Sequence, residues 1–423
     1  MRSKTIVTTI LLAACSGPST GDDGDETPED TTWYANAKPV LDQHCVRCHN
    51  GSGLGPGNFA DPLTAQSYAP AMIARIDAGE MPPPAADPTC HEYEDSDRFF
   101  LDPAARDTLQ AWIDGGFLLG DPATEPEGPP AIRTLERRDI EIHTAAPYLP
   151  QFEDSNEYRC FVLDLDTTSD VWITGFEPII DQASISHHTV FFIDPYGDAQ
   201  KYVEDETTQS WKCPEVMPDP SWQLLHAWAP GNNPVEFPPD HAMLVNAGSQ
   251  VILQMHYFDG GVHDADAPGY YFSTTDEAPV PDNVMYFLGA GPEDFTIPAG
   301  DDSFKVSTDL DLYWGYPGLT TTFFGVFPHM HVLGKKYKFT ATDGDGVDHC
   351  IAEADAYDFA NQPTYWFKEP MSFDDASTLH VQCTYDNSAG NPDQINNPPI
   401  DVTWGENTNQ EMCYALLYGT IAG

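Results

Sequence analysis

The sequence predicts a multidomain fold, with a small all-α domain followed by two all-β sandwiches. Three observations point there. The chain has 423 residues, too many for one ordinary hydrophobic core. Its first third carries short helical patterns, whereas the residues beyond 144 alternate β-branched and aromatic runs with turn clusters. Pro (38) and Gly (32) are abundant enough to punctuate many short strands, and 41% hydrophobic residues can fill the cores between them.

At the N-terminus, Arg2 and Lys4 precede an apolar run over 6–14 that is too short to span a bilayer. The run ends in Leu12-Ala13-Ala14-Cys15, which resembles the bacterial lipoprotein box, with Cys15 lipidated after cleavage. Residues 1–14 are therefore expected to be a signal peptide and residues 15–32 an acidic, disordered tether. The expected location is the periplasm or cell surface, anchored by lipid to a bacterial membrane; Ser16 points to the outer one by analogy only, and the sequence does not choose between inner and outer. No later segment has 18 uninterrupted apolar residues, so the lipid is the only membrane attachment expected. A formal charge of −49 with only 18 Lys and Arg excludes nucleic acid as a partner, because phosphate neutralisation needs cations. Such a surface repels itself, stays dispersed, and would steer a basic redox partner.

The helical domain is expected over 33–125. Its central feature is Cys45-Val46-Arg47-Cys48-His49. Two thiols at this spacing can both add to the vinyl groups of one haem, which sets His49 under the iron as an axial ligand. Residues 37–41 predict a short helix leading into the motif, and 68–76 a second helix. Met81, held in Gly79-Glu80-Met81-Pro82-Pro83-Pro84, is the expected sixth ligand, and Met72 is its competitor. A third helix is expected over 102–116, with Pro103 in its first turn and Gly115-Gly116 after it. The segment resembles a small class I cytochrome c domain. That resemblance implies a covalent haem c on Cys45 and Cys48, with His49 and Met81 as ligands.

A Pro-rich linker over 126–143 leads to two expected sandwiches, 144–288 and 289–423. Histidines are embedded in their strands. They occur as Ser186-His187-His188-Thr189, Gln254-Met255-His256-Tyr257 and Pro328-His329-Met330-His331, with Gln410-Glu411-Met412-Cys413 near the end. Residues i and i+2 on a strand share a face, so His329 and His331 can grip one metal. Adjacent His187 and His188 face opposite sides of an ideal strand and can share a metal only at a bulge, which is expected there. Imidazole suits copper, and a thioether biases a site toward Cu(I).

These four motifs, in this order, resemble the copper type II, ascorbate-dependent monooxygenases, which include the peptidylglycine-hydroxylating and dopamine-hydroxylating enzymes. The resemblance implies two jelly-roll-like sandwiches facing each other across a water-filled cleft, with one copper each. His187, His188 and His256 would hold an electron-relay copper. His329, His331 and Met412 would hold the copper that activates O2 and would be the catalytic set. Gln254 matches the family's Gln two residues before the third relay histidine. The family's disulfide after the ligand Met would fall on Cys413, with Cys383 as partner.

Nine cysteines are present. With Cys15 on lipid and Cys45 and Cys48 on haem, six remain for three disulfides in an oxidising compartment. Cys90, Cys160, Cys213 and Cys350 admit three connectivities. The peptide-hydroxylating members anchor a substrate carboxylate with an Arg and a Tyr, where this chain has Phe327 and Leu416; a family Asn is Tyr414. The resemblance therefore implies monooxygenation of a small, apolar molecule by O2, with ascorbate or a redox protein as external electron donor. The fused haem would serve as an entry point whose tethering raises effective concentration. The alternative is a haem–copper electron-transfer or copper-binding surface lipoprotein without oxygenase turnover.

Overall fold

The computed structural model describes residues 30–51, 55–127, 132–152, 156–165, 168–213, 221–259, 261, 264–405 and 407–423. The expected signal peptide, Cys15 and most of the segment 15–32 lie outside them.

A π-helical turn, Trp33–Ala37, runs directly into α1 (Lys38–His44); α2 (Pro62–Asp77) and α3 (Pro103–Asp114) follow. Asp61 and Asp102 cap α2 and α3, accepting from the backbone N–H of Thr64 at 2.8 Å and of Ala105 at 2.7 Å. A proline opens each of these helices, where its missing N–H costs nothing. The three helices enclose a small core of Trp33, Leu41, Phe59, Met72, Leu109 and Trp112.

The first sandwich holds β1 (Ile140–His143), β2 (Asn156–Leu163), β3 (Val171–Ile179), β4 (Ser186–Asp194), β5 (Ser210–Lys212), β6 (Gln223–Trp228), β7 (Val235–Glu236), β8 (Met243–Val245), β9 (Gln250–Phe258) and β10 (Gly269–Thr275). One sheet runs β1-β10-β3-β7 with β8 also on β3; the other runs β5-β2-β9-β4-β6. The second sandwich holds β11 (Met285–Ala290), β12 (Thr296–Ile297), β13 (Phe304–Asp311), β14 (Thr320–Met330), β15 (Gly334–Thr342), β16 (Asp348–Ala354), β17 (Tyr365–Asp374), β18 (Thr378–Tyr385), β19 (Val402–Thr403) and β20 (Cys413–Ala422). Its sheets are β11-β20-β14-β17 and β13-β18-β15-β16, with β12 and β19 as a separate pair. Strand β18 alternates half-buried and buried residues along its whole length, the pattern of one face on a core. Each sandwich opens a few residues ahead of the starts at 144 and 289 expected from sequence, because β1 pairs with β10 and β11 with β20.

The two sandwiches share packing. Met285, Phe324 and Tyr418 of the second join the core of the first, and the Tyr418 hydroxyl donates to the Leu225 carbonyl at 3.2 Å. Cysteines pair as Cys90–Cys350, Cys160–Cys213 and Cys383–Cys413. These are the expected three bridges, and the last is the pair implied by the resemblance.

One feature of the helical region departs from the sequence reading. Residues 84–99 leave the helices and lie along the second sandwich. Tyr93 bridges Phe367 as an added strand position, Asp87 N–H donates to Glu353 at 2.7 Å, and Glu94 N–H donates to Trp366 at 2.8 Å. Tyr93 is fully buried in that sandwich's core and donates to the Ile351 carbonyl at 2.9 Å. The Cys90–Cys350 bond locks the strap in place. The α-helical unit is thus clamped, not loosely tethered. On its other side, Arg47 and Arg98 both donate to the Gly231 carbonyl in the loop after β6. Gly231 has φ +86°, a backbone conformation that favours glycine, and a Cβ there would stand a tight 3.2 Å from Cys48 Sγ.

Candidate active site

Strand β4 carries His187 and His188, and its register with β9 slips between Ser186 and His188. This is the expected bulge, and it turns both imidazoles to the same side. His188 is paired directly with His256 of β9. The three Nδ1 atoms converge: His187 to His188 is 3.1 Å and His188 to His256 is 3.3 Å. All three ligand atoms lie within 4.8 Å of one another, so the trio can hold one ion. Nitrogens bound about 2.0–2.1 Å from a single metal stand roughly 3.3–3.5 Å apart, close to this spacing. His256 is steered from behind, with Nε2 2.8 Å from Asn156 Oδ1 and its ring stacked on Tyr158 at 4.1 Å. The Gln254 amide donates to the Cys213 carbonyl at 3.2 Å.

The second group sits at the end of β14. His329 and His331 stand on one face with ring centroids 5.1 Å apart. His329 Nδ1 lies 2.8 Å from Gln362 Oε1, and His331 Nδ1 lies 3.0 Å from the Gln410 carbonyl. With Nδ1 so occupied, Nε2 is the nitrogen left to each ring for a metal. Across β14 and β20, His329 faces Tyr414 and Met330 faces Cys413, so the next step outward sets Met412 beside His331. Met412 lines the same cavity as both histidines. Glu411 ties the two segments together, its buried carboxylate accepting from the N–H groups of His331 at 2.9 Å and Leu333 at 2.7 Å. Burial pushes Glu411 up to about 8.

A cavity of about 710 Å³ between the sandwiches is lined by His187, His188, His329, His331 and Met412 together. Phe327 and Leu416 are opposite each other in the β14–β20 ladder and line it beside His329. Trp228, Phe287, Leu288 and Tyr414 add apolar wall. Sequence reasoning missed Asn156, Gln362 and the ring of Phe359, which act through neighbours distant in sequence and carry no local motif; Glu411 falls in the Glu-Met-Cys motif, but its bonds to the His331 and Leu333 N–H groups were not read from it.

In the helical unit, Cys45 and Cys48 are half-buried and are the free cysteines among the described residues. His49 stacks on Phe59 at 4.3 Å and has Nδ1 2.8 Å from the Pro56 carbonyl, leaving Nε2 outward. Met81 is 39% exposed on the loop after α2, whereas Met72 is packed in the helical core.

Residues 141–261 match the family model for the copper type II ascorbate-dependent monooxygenase N-terminal domain. Residues 285–419 match the model for the C-terminal domain, and the two together take in more than half of the chain. The chain belongs to the copper type II ascorbate-dependent monooxygenase family. It is a copper-dependent monooxygenase, an oxidoreductase of a family that uses O2, a substrate and ascorbate. Both histidine groups of this monooxygenase fall inside the matched segments, one in each, and the helical unit falls before them. No curated protein matches the sequence. Two solved structures are similar to it: one titled as the structure of infectious bursal disease virus Gx strain, the other as the crystal structure of infectious bursal disease virus VP2 subviral particle. They share 11% and 10% identity and cover 66% and 71% of this chain and 71% and 75% of theirs. Both have a TM-score of 0.19, and at that score the likeness carries no argument.

The monooxygenase keeps its imidazoles neutral. Burial lowers His187 to about 4 and His331 and His226 to about 3, and lowers His188, His256 and His329 as well. A depressed folded-state value means the unfolded chain binds more protons below the ordinary histidine pKa of about 6.5. Stability contributed by these groups is full above that pH and is lost as the pH falls. Glu411 and Asp266, pushed up by burial to about 8 and about 6, act in the opposite sense but are outnumbered. The metal-free protein should therefore show a thermal midpoint that drops steadily between about pH 6.5 and 4, each imidazole giving up to about 1.4 kcal/mol per pH unit. Calorimetry across that window checks it, and a flat midpoint would count against neutral burial.

Proposed function

We propose that the enzyme hydroxylates a C–H bond of a small, apolar molecule, with His187, His188 and His256 holding a relay copper and His329, His331 and Met412 the copper that engages O2. The observation that carries this reading is a single cavity bounded by both sets and walled by Phe327 and Leu416. Copper bound at these sets supplies one-electron redox chemistry and O2 activation; overall, one oxygen atom enters product and the other leaves as water, using two electrons and two protons. The neutral imidazoles are ready to ligate without releasing a proton. Gln362, Gln410 and Asn156 fix their ring orientations. Phe327 and Leu416 stand where the peptide-hydroxylating members hold a substrate carboxylate with an Arg and a Tyr, so a peptide C-terminus fits poorly.

Electrons are proposed to enter through a haem c on Cys45 and Cys48, with His49 and Met81 as ligands. A haem held there supplies a one-electron carrier of raised potential. The Cys45–Cys48–His49 part of the donor set fits: the two thiols are unpaired by disulfide and His49 is held through Nδ1, while Met72 is packed in the core and Met81 stands partly exposed on the loop after α2. Cys48 lies against Gly231, three residues beyond Trp228, which is paired with Thr189 beside His188. That short stretch of chain is a direct connection from the thiol to the relay set. The disulfides support an oxidising compartment, consistent with export and a lipid anchor on Cys15.

Metal and haem analysis of purified full-length protein should return two coppers and one haem per chain. Pre-reduced haem should be reoxidised as the coppers are reduced. Small apolar substrates should give oxygen uptake stoichiometric with hydroxylated product. Haem that stays reduced beside oxidised copper would remove the proposed route, and turnover of glycine-extended peptides alone would remove the substrate class.

A further inference from the structure

The two histidine sets sit on different sandwiches, and one aromatic side chain lies near both. Phe359 belongs to the loop joining β16 and β17. Its ring centroid is 6.5 Å from that of His187 and 5.9 Å from that of His331. A ring from the second sandwich therefore lies within aromatic-pair range of a candidate ligand of each metal, at the gap that the family resemblance expects to be filled with water.

The loop that carries it is tightly placed. The Tyr357 hydroxyl donates to the Met330 carbonyl at 2.7 Å and accepts from the Met330 N–H at 3.1 Å, between the two histidines of the second set. Gln362 is buried; its Oε1 meets His329 Nδ1 at 2.8 Å, and its Nε2 donates to the Phe359 carbonyl at 2.8 Å. One amide thus fixes both a candidate ligand and the backbone of the intervening ring. The base of the loop is braced by the strap, through Ala86 N–H on the Tyr365 hydroxyl at 2.9 Å and the Cys90–Cys350 bond to β16. A half-exposed aromatic ring held this firmly over a cavity has a reason to be there beyond core packing.

We propose that Phe359 is a positioning residue that sets the separation of the two metal sites and provides the contact across which an electron passes between them. The proposal rests on the two-copper reading above. Hydroxylation consumes two electrons, supplied by the ascorbate-class donor, and each site stores one. The balance is one substrate C–H, O2, two electrons and two protons to hydroxylated substrate and water, so with copper bound an electron from the His187/His188/His256 side would have to reach the His329/His331/Met412 side. The first side is oxidised by one electron and the second receives it. A filled van der Waals gap keeps that distance short and constant; an emptied one admits water and lets the sandwiches shift.

The test loads full-length protein with Cu(II) and measures the copper–copper separation by pulsed dipolar EPR in wild type, F359A and F359L. Wild type should give one narrow distribution. F359A should broaden and lengthen it, while F359L, which keeps the bulk, should restore it. In F359A, turnover should fall by about a hundredfold, the scale of an ångström-level misplacement, with oxygen uptake in excess of product and an unchanged thermal midpoint. Two coppers per chain with the same distribution and the same turnover in F359A overturns the role of Phe359 alone. Fewer than two coppers in wild type overturns the reading beneath it and this inference together.

Discussion

Replacing His331 by alanine should leave a protein that binds one copper instead of two and turns over about a thousandfold more slowly or worse, several kcal/mol of transition-state stabilisation. The geometry makes the two losses separable. His331 stands at the end of β14 in the second sandwich, whereas the His187, His188 and His256 nitrogens converge in the first. Removing one imidazole from a proposed set of two imidazoles and a thioether leaves too few donors to hold an ion there. The other trio keeps every ligand and its Asn156 support. The remaining copper should stay reducible, so reductant consumption persists while product formation stops. Q362L is the graded control. It deletes the partner of His329 Nδ1 without touching a proposed ligand, so copper affinity at that set should weaken by about 10–100-fold, the usual cost of losing an orienting contact. Copper stoichiometry by elemental analysis, product-coupled oxygen uptake and EPR of the oxidised protein decide the matter. A variant that still binds two coppers and turns over normally would move the oxygen site elsewhere.

Much of this arrangement is legible in the sequence because it rests on local rules. An i, i+2 pair on a strand must share a face, which places His329 with His331. An i, i+1 pair needs a bulge, and β4 has one at His187. The Asp102-Pro103 step announces the start of α3 because the carboxylate caps and the proline tolerates the first turn, whereas the same step at Asp61-Pro62 starts α2 six residues ahead of the helix expected over 68–76. What is not legible depends on tertiary contact between residues that carry no signature of their own. Gln362, Asn156 and Phe359 are ordinary residues in ordinary surroundings, and only the folded chain brings them to the imidazoles. The strap over 84–99 is hidden for a further reason. It lies next to a Met-Pro-Pro loop and reads as part of the helical domain, yet its hydrogen bonds go to β16 and β17, more than two hundred residues downstream. Four cysteines with three possible connectivities gave no means of seeing that one bond crosses between domains. The consequence is physical. A tether would raise the concentration of a donor and leave its orientation free, whereas the observed clamp fixes the Cys48 loop against Gly231 in one pose.

Removing the Cys90–Cys350 bond by C90S/C350S should give the largest stability loss of any disulfide in the chain, on the order of 5 kcal/mol by chain entropy. The bond spans 260 residues, against 53 for Cys160–Cys213 and 30 for Cys383–Cys413. Because the entropy restored to the unfolded chain grows with the logarithm of loop length, the shorter bridges should cost only about 4 kcal/mol each. The position of the bond adds a second effect that loop length does not contain. Among the described residues it is the one covalent cross-link between the helical unit and the second sandwich, where Tyr93, the Ala86–Tyr365 bond and the backbone bonds to Glu353 and Trp366 are among the non-covalent contacts. Without it the strap has to be held by such non-covalent contacts, with Arg47 and Arg98 on the other side of the unit, and the helical unit should melt before the sandwiches. Calorimetry should therefore show one transition in the intact protein and, in C90S/C350S, an early second transition with a midpoint lower by roughly 5–10 °C. Hydrogen exchange should localise the early opening to residues 84–99 and to the loop bearing Phe359, which the strap braces. A single undivided transition, or a loss no greater than that of C383S/C413S, would mean that the non-covalent contacts suffice to hold the clamp shut.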